Sequence, residues 1–364
     1  MSRVYILSGA RTPVAVMDGS LRDYSESKLG AASMKLALEL SGFGAGALSE
    51  IIVGAAKQTS KPSNLARYAM LDARLPIHVP AYTVHRQSAS GIQAVANGVW
   101  SIKSGMAGAV LAGGCESMTH IPREIHNARN SFNEHTRIIF DPIGAQIEGA
   151  QPEKLSSSDI CGRIAEKHGI TTEEAASFAA ACAGKAAARA AADYICKLQV
   201  RKSKAVESLE TDEISPKPEI VAKPADGAAM LVLASEEAAS DKKPIAEVFS
   251  IAAAAGNPAY GLAETCAVKK ALEKADMALP GLARIEIVEM SAVQVLATIK
   301  GLGLEASDKR INPLGGGLAL GSPWGASGTV HLVDLIHGLK SGESGIVVNP
   351  AEGGQVMCVV VRKM

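Results

Sequence analysis

Short apolar runs alternate along this chain with segments whose apolar residues recur at helical spacing, and that alternation restricts it to a mostly parallel sheet covered by helices. Val4 to Ser8 reads as a buried strand ended by Gly9, and Ser27 to Leu40 as a helix ending near Gly42. Ile51 to Gly54 is a second strand, Ser88 to Ser104 a helix opening on small residues, and Gly108 to Ala112 a strand running into a Gly113-Gly114 turn. From about Met118 to Ala225 the rhythm breaks into polar, loop-rich and helical sequence with no convincing buried strand. Within it Thr171-Thr172-Glu173-Glu174 has the form of a capping box, opening an Ala-rich surface helix toward Ile195. Alternation resumes with strands at Ala228–Ala234, Ile285–Glu289, Gly345–Val348 and Met357–Val361 and helices at Val268–Ala275 and Ser327–Leu339. The expected division is an N-terminal half over 1–245, interrupted by an inserted loop domain over 118–225, and a C-terminal half over 246–364. The halves share a rhythm but no repeat legible in the letters.

With 47% hydrophobic and 20% charged residues, the chain carries enough apolar surface to fold rather than stay disordered. Lys plus Arg equals Asp plus Glu at 37 each, so charge gives no reason to expect nucleic acid or a membrane surface as partner. The six cysteines are scattered without a CxxC pair, which reads as reduced thiols in a cytoplasmic protein without a metal site. No signal peptide or spanning helix is read from the sequence. His120 and His126 stand in a loop and read as solvated or locally hydrogen-bonded, and the basic run Arg201 to Lys204 as a solvated face.

Six segments taken in order resemble the thiolase family of acyl-CoA acyltransferases. They are SGARTPVAVMDGSL (Ser8–Leu21), TVHRQSASGIQAV (Thr83–Val95), LAGGCESM (Leu111–Met118), DGAAMLVLASE (Asp226–Glu236), VKKALEKA (Val268–Ala275) and INPLGGGLALGSPWGASG (Ile311–Gly328). The resemblance spans nearly the whole chain. It implies two similar βαβαβαββ halves in a five-layer α-β-α-β-α sandwich, and a homodimer or homotetramer. It also implies a CoA thioester as ligand, with no separate cofactor and no metal.

Thiolases acylate a cysteine held at a helix N-terminus, and a second cysteine moves the proton in the carbon–carbon step. The resemblance carries the nucleophilic position of N-x-x-C-x-S-G onto Ser88 and its Asn onto His85, a candidate base. It carries the His of G-H-P-x-G-x-S-G onto Ser322 and the second cysteine of C-x-G-G-G onto Pro350, within PAEGGQ. The Asn-Glu-Ala-Phe motif falls on Ser291, Ala292, Val293 and Gln294. A His and Met of the loop domain fall on Ser156 and Ser157, and a turn M-G-x-G-P on Tyr260 to Glu264. The glycines at 315–317 and at 353–354 fit tight turns kept as relics of the fold.

The favoured reading is a thiolase-like homologue without its catalytic set, a non-catalytic or regulatory partner of an active thiolase or another acyl-CoA enzyme. The alternative is an acyltransferase on acyl-CoA or acyl-carrier thioesters with Ser88 as a remodelled nucleophile. Beside that stands the plain reading of Ser88 as a small residue capping its helix. A third reading is a retro-aldol or other lyase acting only with a partner.

Overall fold

The computed structural model describes residues 3–59, 61–125, 139–144, 155–202, 205–215, 219–257 and 263–364. The first half runs β1 (Val4–Arg11), β2 (Ala15–Val16), α1 (Glu26–Ser41), β3 (Glu50–Gly54), α2 (Leu65–Asp72), β4 (Ala81–Val84), α3 (Ser90–Lys103) and β5 (Ala109–Ser117). An insertion follows, with the β6–β7 pair (Glu124–Ile125, Ile139–Phe140), helices α4 (Ser157–His168) and α5 (Thr172–Ala187), and the hairpin β8–β9 (Leu198–Lys202, Ala205–Leu209). Strand β10 (Ala225–Ser235) returns to the first sheet. The second half is β11 (Ala246–Ala255), α6 (Ala263–Ala275), β12 (Arg284–Ile287), α7 (Ala292–Gly301), the single turn α8 (Gly317–Leu320), α9 (Trp324–Gly338), β13 (Ser344–Ala351) and β14 (Gln355–Lys363).

The repeat that the letters conceal is explicit in the topology. The first half orders its strands β4-β3-β5-β10-β1, with β10 antiparallel to both neighbours. The second orders β12-β13-β14-β11, with β14 antiparallel to both neighbours, and a parallel bridge from Ile285 to Ile311 marks a vestigial strand outside β12. Counted within each half, both sheets read third, second, fourth, fifth, first. The two first strands meet at Tyr5–Glu247 and Ile6–Ala246.

Period-two alternation sends each strand's side chains to two cores. On β10, Leu231 and Leu233 face the central layer with α3 (Ile92, Val95, Val99) and α9 (Val330, Val333), whereas Met230 and Val232 face α1 and α2. On β13, Val347 points centrally, and Ile346 and Val348 meet α6 and α7. The result is five layers, α1/α2, sheet, α3/α9, sheet, α6/α7.

Several expectations are corrected. The sheet is not mostly parallel: the fourth, fifth and first strands of each half pair antiparallel, because β10 and β14 each return between strands running the other way. β1 does not stop at Gly9 but continues through Arg11, because β10 pairs with it to that point. Gly113 and Gly114 form no turn; β5 passes straight through them. A Cβ on either would collide with backbone, that of Ala229 for Gly113 and of Gly325 for Gly114, so glycine serves close approach there. The insertion does hold a buried strand, since Leu198 and Val200 of β8 are covered. Helix α5 opens with the expected Thr171 capping box but ends at Ala187, and one face, including Phe178 and Cys182, is buried.

Just past that end Arg189 turns inward to a buried tetrad. Arg11 Nε donates to Asp334 Oδ1 at 2.8 Å, and its Nη1 to Asp212 Oδ1 at 2.7 Å. Arg189 Nη2 donates to Asp334 Oδ2 at 2.9 Å, and Arg189 also pairs with Asp212. Strand β1, the insertion and α9 are thereby tied by four buried charges. Both arginines hold the Asp212 and Asp334 carboxyls below the usual range against the opposing cost of burial. Removing one member leaves its partners buried and unpaired, so Asp334→Ala should lower unfolding free energy by about 3–5 kcal/mol in urea titrations.

Buried carboxylates of the opposite kind lie beneath α1. Burial, with Glu116 and Asp226 nearby, raises Glu26 from 4.5 to about 8. Folding then takes up a proton at this site, so its contribution is fully present below the unfolded value and is lost as pH rises through the folded one. Melting temperature should therefore fall from about pH 5 to pH 8 in the native chain, and Glu26→Gln should flatten that decline. An equal slope in both proteins would count against the assignment.

Candidate active site

The site gathers around the turn that leads into α3. Gln87 takes a positive φ of 47°, a conformation unusual for a side-chain-bearing residue. It is held by Ser90, whose amide and hydroxyl both donate to the Gln87 carbonyl, while Arg86 N donates to Ser90 Oγ at 2.8 Å. Such strain costs about 1–3 kcal/mol and persists only where neighbours fix it. The turn brings Ser88, 3% exposed, to the mouth of the helix. Ser88 is not the helix cap; Ala89 holds that position, with no side-chain cap bond.

Glu352 is the partner of Ser88. Its carboxylate accepts from Ser88 Oγ at 2.8 Å (Oε1) and 2.9 Å (Oε2), and Oε2 also accepts the Ser88 backbone N–H at 3.1 Å. Glu352 sits in the three-residue turn between β13 and β14, followed by Gly353 and Gly354 at φ 79° and 72°, values that favour glycine. The two turns are tied directly, because Arg86 Nη1 donates to Gln355 Oε1 at 3.0 Å and Arg86 Nε to Gln93 Oε1 at 2.7 Å.

Behind Glu352 lies a cavity of about 150 Å3. Its wall is mainly apolar, with Leu155, Ile160, Ile164, Val221, Met290 and Val356, and polar atoms come from Ser157, Cys161, Asn257, Glu264, Ser291 and Gln294. Helix α4 from the insertion thus faces α7 and the β13–β14 turn from the second half. Burial pushes the Cys161 thiol up against the lowering effect of its Ser291 hydrogen bond.

The candidates from sequence divide. Ser291, Pro350 and Ser157 line the cavity, and Ser88 reaches it through Glu352. Ser291 caps α7, accepting from Gln294 N at 3.1 Å, which occupies it locally. His85 is held elsewhere than on Ser88, its Nε2 meeting the Ala56 carbonyl at 3.0 Å. Ser322 lines a separate cleft of about 10 Å3 beside Arg189 and Asp334, and its hydroxyl pairs with Ser327 Oγ at 2.8 Å. Ser156 caps α4 in a capping box. His120 is locally bonded, Nδ1 to Ser117 Oγ at 2.9 Å. His126, residues 260–262 and 203–204 lie outside the described residues.

Sequence reading missed Glu352, although the signal was present: an acidic residue stands where C-x-G-G-G has its first glycine. It also missed Glu289, a buried carboxylate accepting from Asn312 Nδ2 and Leu318 N, both at 2.8 Å, and from Cys182 Sγ at 3.2 Å. The glycines at 316 and 317 are not mere relics, since a Cβ on Gly316 would press on that carboxylate and one on Gly317 on the Glu289 backbone carbonyl. Among the described residues no three His, Cys, Asp or Glu side chains are grouped to hold a metal ion, and no helix is long and apolar enough to cross a membrane.

Comparison with known proteins gives this architecture its place. The model of the thiolase N-terminal domain matches residues 4–224 and that of the thiolase C-terminal domain residues 242–363. An acetyl-CoA acetyltransferase of Pseudomonas aeruginosa is 33% identical over the full length of both chains. A beta-ketoadipyl-CoA thiolase of Pseudomonas knackmussii is 31% identical, again covering 100% of each. Among solved structures, the acetyl-CoA acetyltransferase of Bacillus anthracis superposes with a TM-score of 0.89 at 26% identity over 100% of this chain and 99% of that one. A thiolase of Ascaris suum, solved with coenzyme A, gives 0.88 at 28% identity over all of both chains. With both domain models spanning it end to end and that likeness in sequence and fold, the chain belongs to the thiolase family.

Proposed function

We propose that this protein engages acyl-CoA thioesters, as the names of its relatives describe, but neither makes nor breaks carbon–carbon bonds. The observation that carries this reading is the residue set at the site, where Ser88 is bonded to a carboxylate, Pro350 has no proton to give and Ser322 is turned onto Ser327. A thiolate forms from a thiol of pKa about 8.5, whereas a serine hydroxyl is far less acidic and supplies no comparable nucleophile alone. Claisen chemistry further needs a group that takes a proton from the substrate α-carbon. At the second-cysteine position Pro350 offers a ring instead. Anchored on the buried Glu289, the Asn-Glu-Ala-Phe motif puts its Asn on Val288 rather than Ser291, and valine offers no amide for an oxyanion water.

The corresponding role is a homologue of acyl-CoA enzymes that binds thioesters without carrying out thiolase chemistry. Six free cysteines accord with a reducing, cytoplasmic location. Acetoacetyl-CoA mixed with CoA should be cleaved to acetyl-CoA no faster by the native protein than by Ser88→Ala. Turnover well above that control would end the reading.

A homodimer is the partner proposal with most support. Among the described residues nothing pairs with the outer edge of β4, and Tyr82 on it and Trp100 on α3 are exposed. An unpaired edge beside exposed aromatic residues is a surface that a second copy covers well. Light scattering should give twice the chain mass, and Tyr82→Asp with Trp100→Asp should reduce it to one chain. A monomeric native protein would refute this.

A further inference from the structure

We propose that Ser88 and Glu352 form an acyl-transfer dyad that hydrolyses acyl thioesters, with Ser88 as nucleophile and Glu352 as its general base. The inference rests on the thioester-binding reading above but adds an activity and a residue to it.

A nucleophile and its base are recognised by a hydrogen bond between them and by a third group that orients the base. Both oxygens of Glu352 lie within 2.9 Å of Ser88 Oγ. Among the described residues the hydrogen bonds to the Glu352 carboxylate come from Ser88, and Lys57 is near enough to interact with its charge. Orientation comes from the Arg86 bridge to Gln355, three residues after Glu352, and from the strained Gln87 turn that presents Ser88. Glu352 also lines the apolar cavity, which gives an acyl chain somewhere to lie beside the carboxylate that Ser88 meets.

The chemistry balances without another reagent. Ser88 Oγ bonds to the thioester carbonyl carbon as its proton passes to Glu352; the carbon–sulfur bond breaks, and the leaving thiolate takes that proton. Water then attacks the Ser88 ester, giving one proton to Glu352, which returns it to Ser88 Oγ as the acid departs. The sum is thioester plus water to carboxylic acid plus thiol. Proton transfer to Glu352 also weakens its hold on the Ser88 N–H, which becomes available to the oxyanion as charge develops there. A family cysteine needs no such partner, because a helix N-terminus and a cation suffice to lower a thiol. A serine does.

The test uses full-length protein carrying Cys266→Ser, which removes the one exposed thiol. Acetyl-CoA and hexanoyl-CoA are the probes, with CoA release followed by a thiol reagent and acylated peptides identified by mass spectrometry after an acid quench. Release of CoA from either probe above the Ser88→Ala background, an ester on Ser88, a fall of about 10²–10⁴ in Glu352→Gln and partial recovery in Glu352→Asp are the expected results. Circular dichroism melts check that each variant is folded. Release that survives Glu352→Gln or Ser88→Ala, or no release from either probe, overturns the dyad. Cleavage of acetoacetyl-CoA to acetyl-CoA would instead overturn the earlier reading, so the two failures are distinguishable.

Discussion

Arg11, Arg189, Asp212 and Asp334 form a closed ring of charge where three parts of the chain converge. Arg11 ends the first strand, Asp334 lies on the central helix of the second half, and the other two belong to the insertion. Four charges out of water are tolerable only while every one is met by its opposite. The ring therefore fixes the insertion against both halves at once, and it ends α5 by drawing Arg189 inward. The position of the insertion matters because α4 walls the cavity and α5 approaches Glu289 through Cys182. The wall of the cavity thus depends on ion pairs that do not line it.

The second organising feature is the central layer. Helices α3 and α9 are equivalent elements of the two halves, packed between the sheets, and the turns before them carry Ser88 and Ser322. Glu116 ties the segment just after β3 to the start of α9, accepting from Ala56 N, Lys57 N and Gly325 N. Burial raises Glu116 to about 7 despite those three donors. A carboxylate in such a place is chiefly a clamp, joining the end of β3 to the start of α9. Glu352 is different in kind. Its carboxylate meets a side-chain hydroxyl as well as an amide, and it lines an open volume.

Family membership and site composition point in different directions, and both follow from physics. The scaffold needs small residues at close approaches, alternating apolar strands and capped helices, and those demands are met by many sequences. Claisen chemistry needs specific pKa values and donors at fixed points, and a few substitutions remove it while leaving the packing intact. In the turn after β13, Glu352 places a carboxylate within hydrogen-bond reach of the Ser88 hydroxyl.

Much of this was legible in the letters. The strand–helix rhythm, the Gly42 helix end and the Thr171 capping box all follow from local pattern, because periodicity and capping are local physics. What escaped depended on distant partners. Glycines 113 and 114 look like a turn until the opposing backbone is known; His85 looks like a base until the Ala56 carbonyl is seen to hold it; Ser88 looks like a cap until Glu352, 264 residues away, reaches its hydroxyl. The sequence by itself determined the layers and the kinds of residue at the site. Only the tertiary structure decided which carboxylate faces which hydroxyl, because a hydrogen bond between remote turns is set by the packing of whole sheets and leaves no periodic trace in either segment.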